Sequence, residues 1–217
     1  MLITLVIIGV IAAITVPTLI TKYQKEQTVT KLKKEYSVFN QAVQLAIKDY
    51  GTMETWDAPA ESSFETSSYM FQKYVIPYLS ISKPIKSITE DNIEVKKINN
   101  DILNFNDTYL KFYLTDGTSV IGRYNYYGPT THRSLAIYID INGDKQPNRL
   151  GRDIFIYMYW IYYPADKKIQ GRFLPNMFNF AQTREQIHQN CSFQTNGDGC
   201  ANLIMKDSWQ IKDDYPW

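Results

Sequence analysis

Hydrophobic and polar positions divide the first fifty residues of the chain into two halves. Residues 1–20 form an uninterrupted apolar run, and the first charged residue is Lys22. A helix of twenty residues is ~30 Å long, about the thickness of the hydrocarbon layer of a membrane. The run therefore predicts a membrane-spanning helix, whose apolar and small residues are Leu2, Ile3, Leu5, Val6, Ile7, Ile8, Gly9, Val10, Ile11, Ala12, Ala13, Ile14, Val16, Pro17, Leu19 and Ile20.

Residues 21–50 are polar but keep a narrow apolar stripe at helical spacing. Apolar positions recur at alternating steps of three and four, the spacing of one helix face. This predicts that the first helix continues to Tyr50, ends at Gly51, kinks at Pro17, and exposes its other residues, Glu35 among them. The stripe packs either on the rest of the protein or on a second copy as a coiled coil. Its members are Val29, Leu32, Tyr36, Phe39, Val43, Ala46 and Tyr50.

Residues 51–217 are expected to form one head domain around an antiparallel sheet. A hairpin is predicted from residues 108–114 and 119–124 around an Asp-Gly turn, followed by strands over residues 134–140 and 153–162. A helix is expected over residues 66–79 with Ser67 or Ser68 as its cap. An edge strand near residues 93–98 and a short helix over residues 180–189 complete the pattern. The predicted class is α+β, with the long N-terminal helix covering one sheet face.

Composition narrows the classes of function. The 217 residues carry 23 basic and 22 acidic side chains, a balance that gives no basis for bulk attraction to nucleic acid. The seventeen Tyr, ten Phe and four Trp favour strands. The Tyr-rich segments, residues 124–127 and 157–163, are interpreted as sheet core and cover, with stacking on sugar rings as the alternative.

The two cysteines, Cys191 and Cys200, predict one disulfide that closes a short polar loop. Such a bond implies an oxidising compartment outside the cytoplasm. The lysines after residue 21 would place the head inside the cell by the positive-inside tendency, so the two expectations conflict unless a basic segment precedes Met1. A cleaved signal peptide is disfavoured, because no basic residue precedes the apolar run in this sequence.

The N-terminal pattern resembles that of type IV pilins and type II secretion pseudopilins. The likeness rests on residues 1–50: the run of residues 2–9, the Ala12–Ala13 pair, Pro17 and the amphipathic continuation over residues 23–36. Two later stretches, residues 139–155 and 200–217, look like a subgroup of prepilin-type proteins. Members of the family start with a basic leader, a cleavage motif and a Glu, none of which stands in this sequence. We therefore expect a segment upstream of Met1.

This resemblance implies a long helix laid on a small antiparallel sheet, and a structural rather than enzymatic role. The expected location is the bacterial inner membrane, single-pass, with an extracytoplasmic head, and then a pilus or pseudopilus. The expected partners are copies of the chain, other pilin-like subunits, membrane lipid, a prepilin peptidase that cleaves and methylates the chain, and the assembly machinery; nucleic acid is not among them. The alternative is a permanently anchored extracytoplasmic protein whose head binds a ligand or glycan.

No cofactor is required by these expectations, and calcium is the one ion that the residues suggest. Oxygen-bearing side chains alternate in a tight turn, and a further carboxylate follows a short loop, which suits a hard cation. Some pseudopilins bind calcium in this region. The spacing does not match an EF-hand, and a turn rich in Asp and Asn is the alternative. The candidate ligands are Asp140, Asn142, Asp144 and Asp153.

Catalytic motifs are not apparent in the sequence. His188 lies three positions before Cys191, but a nucleophilic cysteine needs a thiolate-stabilising setting rather than a partner cysteine nearby. A second acidic turn, residues 196–199, is interpreted as a surface turn. The sequence therefore predicts that the chain is not an enzyme.

Overall fold

A single long helix leads into the head. The computed structural model describes residues 2–91, 93–129, 131–165 and 167–217, with side chains of the first helix described from Ala12 onward. Helix α1 (Leu2–Tyr50) confirms the predicted continuity and runs through Pro17, beside which Thr18 Oγ1 donates to the Ile14 carbonyl at 3.2 Å. It ends at Gly51, whose φ of +79° is the left-handed conformation that favours glycine after a helix.

The head is built on a six-stranded antiparallel sheet, which confirms the α+β class. Its spatial order is β1-β4-β5-β6-β7-β8, and the short strands β2 and β3 pair separately. The strands are β1 (Ile81–Ser87), β2 (Val95–Lys96), β3 (Ile102–Leu103), β4 (Leu110–Leu114), β5 (Ser119–Tyr126), β6 (Arg133–Asp140), β7 (Ile154–Tyr162) and β8 (Phe173–Pro175).

The predicted hairpin is confirmed as β4 and β5, and the two predicted strands that follow are β6 and β7. The turn between β4 and β5 places Gly117 at a φ of +92°. The edge strand expected over residues 93–98 is shorter, since only Val95 and Lys96 pair in it. Strand β1 was not predicted. It contains Pro84, which an edge strand tolerates because one side of its backbone faces no partner strand.

The second half of α1 packs across one face of the sheet. Leu32, Phe39, Val43 and Ala46 are buried in one cluster with the aromatic side chains of β7 and β8, so the predicted stripe packs on the head. The Tyr159 hydroxyl donates to the Phe39 carbonyl at 2.5 Å. The expectation that Tyr50 belongs to the buried stripe is wrong, because its side chain is exposed at the last turn.

Helix α2 (Phe64–Tyr74) covers the same face beside α1. The prediction of Ser67 or Ser68 as its cap is wrong: Ser63 accepts from the Thr66 amide at 3.1 Å in a capping box. Ser67 is instead buried, donating to the Thr108 carbonyl and accepting from the Tyr124 amide, both at 3.0 Å. The helix also ends earlier than predicted, at Tyr74, and a 3₁₀ turn at Ile76–Tyr78 follows it.

Two short helices complete the head. The helix expected over residues 180–189 begins later, as α3 (Arg184–Gln189), because Thr183 caps it through a capping box with Gln186. Helix α4 (Cys200–Lys206) was not predicted. The predicted disulfide between Cys191 and Cys200 is present and joins these two helices.

Candidate assembly surface and ligand sites

Helix α1 has two halves with different surroundings. From Leu32 to Ala46 its apolar stripe is buried against the sheet, whereas residues 12–20 are exposed on every side. Ile14 is 68% exposed, Leu19 64% and Tyr23 62%. Contiguous apolar surface of this kind is rare on a soluble monomer and marks a site of interaction with lipid or protein. We call residues 12–23 the projecting segment.

The predicted membrane span overlaps this segment. Among the described residues, no helix meets the length and hydropathy of a membrane span. Residues 1–11 of the predicted span lie outside the part of the chain whose side chains the structure describes.

A buried carboxyl group, that of Glu35, lies beside the more exposed Asp116 where α1 meets the β4–β5 turn. The expectation that Glu35 is solvated is wrong: its side chain is 1% exposed, and both of its oxygens lack a hydrogen bond from any described residue. Lys34 Nζ lies 3.3 Å from Glu35 Oε1 and also pairs with Asp116. Burial, and the neighbouring Asp116 carboxylate, raise the pKa of Glu35 to about 7. Hydrogen bonds from Lys34 and from the Thr118 amide hold the pKa of Asp116 below its usual range despite partial burial.

The C-terminal tail forms a second surface along α1. Helix α4 ends in a Schellman pattern, in which the Trp209 amide donates to the Ile204 carbonyl at 2.8 Å and the Ser208 amide to the Met205 carbonyl at 3.1 Å. Ser208 and Trp209 adopt φ values of +58° and +61°, a conformation unusual for a bulky side chain such as Trp209. The indole packs on Tyr36 with ring centroids 5.4 Å apart.

Charged side chains fix this tail to the head. Arg184 donates to Asp207 at 2.6 and 2.7 Å and to Asp214 at 2.8 Å, and Lys212 pairs with Asp207 at 2.7 Å. These contacts hold the pKa of Asp207 and of Asp214 below their usual values. Between the tail and α1 lies an open groove of about 920 Å³, which we call the helix–tail groove. It is lined by one side of α1 between Pro17 and Thr30 and by Trp209, Gln210, Ile211 and Asp213.

The structure brings together three of the four candidate calcium ligands. The amide of Asn142 donates to Asp140 Oδ1 at 3.2 Å, and its side-chain nitrogen donates to Asp153 Oδ2 at 3.2 Å. Asp140 and Asp153 are both 4% exposed, and burial together with the Asp153 charge raises the pKa of Asp140 to about 8. Asp144 points elsewhere: its carboxylate accepts from Lys111 at 2.6 Å and from Tyr113 at 2.5 Å.

The oxygen atoms of these residues differ in how free they are to bind calcium. Asn142 Oδ1 and Asn148 Oδ1 are buried and accept no hydrogen bond from a described residue, so both are free to bind a cation. The Asp153 carboxylate, however, already accepts from the amides of Asn148 at 2.9 Å and Arg149 at 2.6 Å. Within the described part of the chain, no group of three or more His, Cys, Asp or Glu side chains is placed to hold a metal. Calcium binding stays a prediction, with Asp140, Asn142 and Asp153 as its ligands.

The remaining candidate residues have structural partners. Both cysteines are in the disulfide, and His188 Nε2 lies 2.8 Å from the Asp214 carbonyl oxygen. Tyr124, Tyr157 and Tyr159 are fully buried, as the core interpretation of the Tyr-rich segments requires.

Three residues of the Tyr-rich segments meet His132, which the sequence did not place with them, at one end of the sheet. Tyr127, 58% exposed, stacks on His132 with ring centroids 4.1 Å apart. His132 in turn contacts Trp160 and Tyr163, at 5.9 and 5.8 Å between centroids. Burial lowers the pKa of His132. We call these four residues the aromatic end cluster; it depends on the pairing of β6 with β7, which sequence spacing does not give.

Comparison with known proteins gives one match. No curated protein matches the chain, and no solved structure does. A family of unknown function, DUF6613, matches residues 18–217, which include the second half of α1 and the whole head. The chain belongs to the DUF6613 family.

Proposed function

We propose that the chain is a structural subunit of a type IV pilus or type II secretion pseudopilus. In this proposal the apolar half of α1 holds the subunit in the inner membrane before assembly and packs against neighbouring subunits afterwards. The head stays outside the cytoplasm, where the Cys191–Cys200 disulfide is stable. The assignment to this class rests on the resemblance of residues 1–50.

The observation that carries the proposal is the division of α1. Residues 32–46 are fixed to the sheet, so the helix is rigidly joined to the head. The projecting segment continues the same helix and presents Ile14, Leu19 and Tyr23 without intramolecular cover. Burying each such side chain is worth roughly 1.5–3 kcal/mol, which favours lipid or other subunits as cover. Contacts that do not close on themselves give an open helical filament.

Cysteine crosslinking in native cells tests this proposal. Both native cysteines are in the disulfide, so two introduced cysteines are the free thiols of each subunit. Paired substitutions among Ile14, Leu19, Ile20 and Tyr23 would be expressed with the native upstream sequence, and sheared surface fractions oxidised. The matched control is Lys33→Cys with Lys48→Cys, on exposed positions of the half that is fixed to the head.

The expected result is a ladder of covalent multimers for at least one projecting pair. A heterologous contact joins one position to a different position on the next subunit, so two cysteines propagate the crosslink. Dimers alone would indicate a closed two-fold contact and contradict the filament. Monomers throughout the panel, together with an absence of the protein from sheared fractions, would also contradict it.

The second candidate is a permanently anchored ligand-binding protein, favoured by the aromatic end cluster. Exposed aromatic rings such as Tyr127 offer a flat apolar face on which a sugar ring can stack. A glycan array probed with the full chain in detergent tests it. Selective binding that Tyr127→Ala abolishes, in a protein that does not assemble, would favour this candidate over the filament subunit.

A further inference from the structure

The helix–tail groove lies next to the end of the apolar run. It begins at Pro17 and continues along one side of α1 to Thr30, with Trp209 and Ile211 on its opposite wall. If residues up to Ile20 lie in the hydrocarbon, Lys22 and Lys25 lie ~3 and ~8 Å beyond it along the helix axis. The headgroup layer on each side of a bilayer is ~5–8 Å thick. Both lysines therefore fall at about the depth of lipid headgroups.

The charges of the groove are balanced. Lys22 and Lys25 contribute two positive charges, and Glu26 and Asp213 contribute two negative charges. None of the four makes an ion pair with another residue in the described part of the chain, in contrast to the neighbouring Asp207, which pairs with Arg184 and Lys212. A ligand that matches this wall carries both a negative and a positive group.

Trp209 forms an aromatic wall of the groove, and its backbone adopts an unfavourable left-handed conformation there. Its φ of +61° is unfavourable for a bulky residue, and such strain persists only where the surrounding structure holds it. Here the Schellman hydrogen bond from its amide and the contact with Tyr36 do so. Tryptophan side chains are enriched where a membrane protein meets the headgroup layer, and lysine side chains anchor helix ends there.

From this position, charge pattern and aromatic wall, we propose that the helix–tail groove binds the headgroup of a zwitterionic phospholipid with a primary amine. The phosphate pairs with Lys22 and Lys25, and the ammonium donates to Glu26 and Asp213. A phosphatidylethanolamine headgroup has both groups. A phosphatidylcholine headgroup lacks the N–H donors, and a phosphatidylglycerol headgroup lacks the positive charge. The inference rests on the proposed membrane insertion of α1.

Co-purification of lipid with the full chain tests the groove. The chain would be reconstituted into vesicles of equal parts phosphatidylethanolamine, phosphatidylcholine and phosphatidylglycerol, floated on a density gradient, and extracted in mild detergent. Bound lipid is then quantified by mass spectrometry. We expect phosphatidylethanolamine to be enriched about fivefold, which corresponds to ~1 kcal/mol, the range of exposed ion pairs.

Three double variants, one of them a control outside the groove, make the assignment specific. Lys22→Ser with Lys25→Ser should abolish the enrichment, whereas Lys33→Ser with Lys48→Ser, on exposed positions outside the groove, should leave it unchanged. Glu26→Gln with Asp213→Asn leaves two positive charges and should shift the preference to phosphatidylglycerol.

Failure of the groove proposal can be distinguished from failure of the proposed membrane insertion. A chain that floats with the vesicles but retains the three lipids equally overturns the groove assignment and leaves membrane insertion intact. Retention of lipid that the Lys22 and Lys25 variants do not change also overturns it. A chain that does not float overturns the membrane-held subunit, and the groove assignment with it.

Discussion

Replacing the buried Glu35 should make the protein more stable at neutral pH. Glu35 is 1% exposed and has another carboxylate, Asp116, as its neighbour. Burial disfavours the charged form of Glu35 and the Asp116 carboxylate beside it adds to that cost, so the folded protein keeps a proton on Glu35 up to about pH 7. Glu35→Gln replaces this carboxyl with an amide of nearly the same shape that never ionises.

The magnitude follows from the pKa of Glu35. Its rise from 4.5 to about 7 in the folded state corresponds to about 3 kcal/mol at most, since each pKa unit is ~1.4 kcal/mol. The unfolded chain loses this proton near pH 4.5 and the folded chain near pH 7. The folded state is therefore penalised progressively as pH rises from 4.5 to 7, and the penalty is complete above that range. Asp116 has the opposite effect on stability. Because its pKa is lowered, its ionised form stabilises the folded state, and this stabilisation is lost only as the pH falls below its usual value of 3.8.

The assay is thermal and urea unfolding of the full chain in mild detergent at pH 5 and pH 8. At pH 8 we expect Glu35→Gln to raise the stability by about 1–3 kcal/mol, which is ~2–4 °C in melting temperature for each kcal/mol in a protein of this size. At pH 5 the gain should be small. Asp140 titrates over an overlapping pH range in both proteins. The free energy of unfolding of the variant is therefore compared with that of the parent at the same pH.

Glu26→Gln is the matched control. It makes the same chemical change on the same helix at an exposed position, and should leave the stability at both pH values within ~0.5 kcal/mol of the parent. A Glu35→Gln protein that is less stable than the parent at pH 8 would refute the reasoning, because Glu35 would then act as an ionised partner of Lys34. An equal gain at pH 5 and pH 8 would refute it as well.

Three further predictions concern the head. Gly122→Ala would place a Cβ atom 2.4 Å from the Phe71 ring, so we expect it to cost ~1–3 kcal/mol of stability, and Phe71→Leu in the same chain to recover part of that loss in urea unfolding. Replacing Cys191 and Cys200 together by Ala should lower the stability by ~2–3 kcal/mol, because the bond closes a loop of nine positions; equal melting of the two proteins would contradict this. Millimolar Ca²⁺ should raise the melting temperature of the parent but not of Asp140→Asn, and a titration without heat would end the calcium hypothesis.

Elements with long, strong periodicity could be predicted from the sequence. Helix α1, the β4–β5 hairpin and strands β6 and β7 all follow from apolar spacing, and the disulfide follows from the presence of two cysteines. Strand β1 could not be identified in this way, because Pro84 argues against a strand until its edge position is known. Strand β8 has three residues, too few for any period.

The candidate sites depended on contacts between distant residues. Glu35 lies three positions after Leu32 and four before Phe39, so helical spacing could have placed it on the buried face. Because glutamate is charged, the sequence predicts an exposed position for it instead. Asp144 fits the alternating oxygen pattern of a calcium loop, but its partner, Lys111, lies 33 positions away on β4. Only the register of the sheet brings the two together.

The mature N-terminus of the native protein tests the central claim most directly. Top-down mass spectrometry of the protein isolated from its own cells would define it. The filament-subunit account predicts residues upstream of Met1 that include a Glu and begin with an N-methylated residue, the product of a prepilin peptidase. A native polypeptide that begins at Met1 without methylation would contradict it and favour the anchored ligand-binding protein.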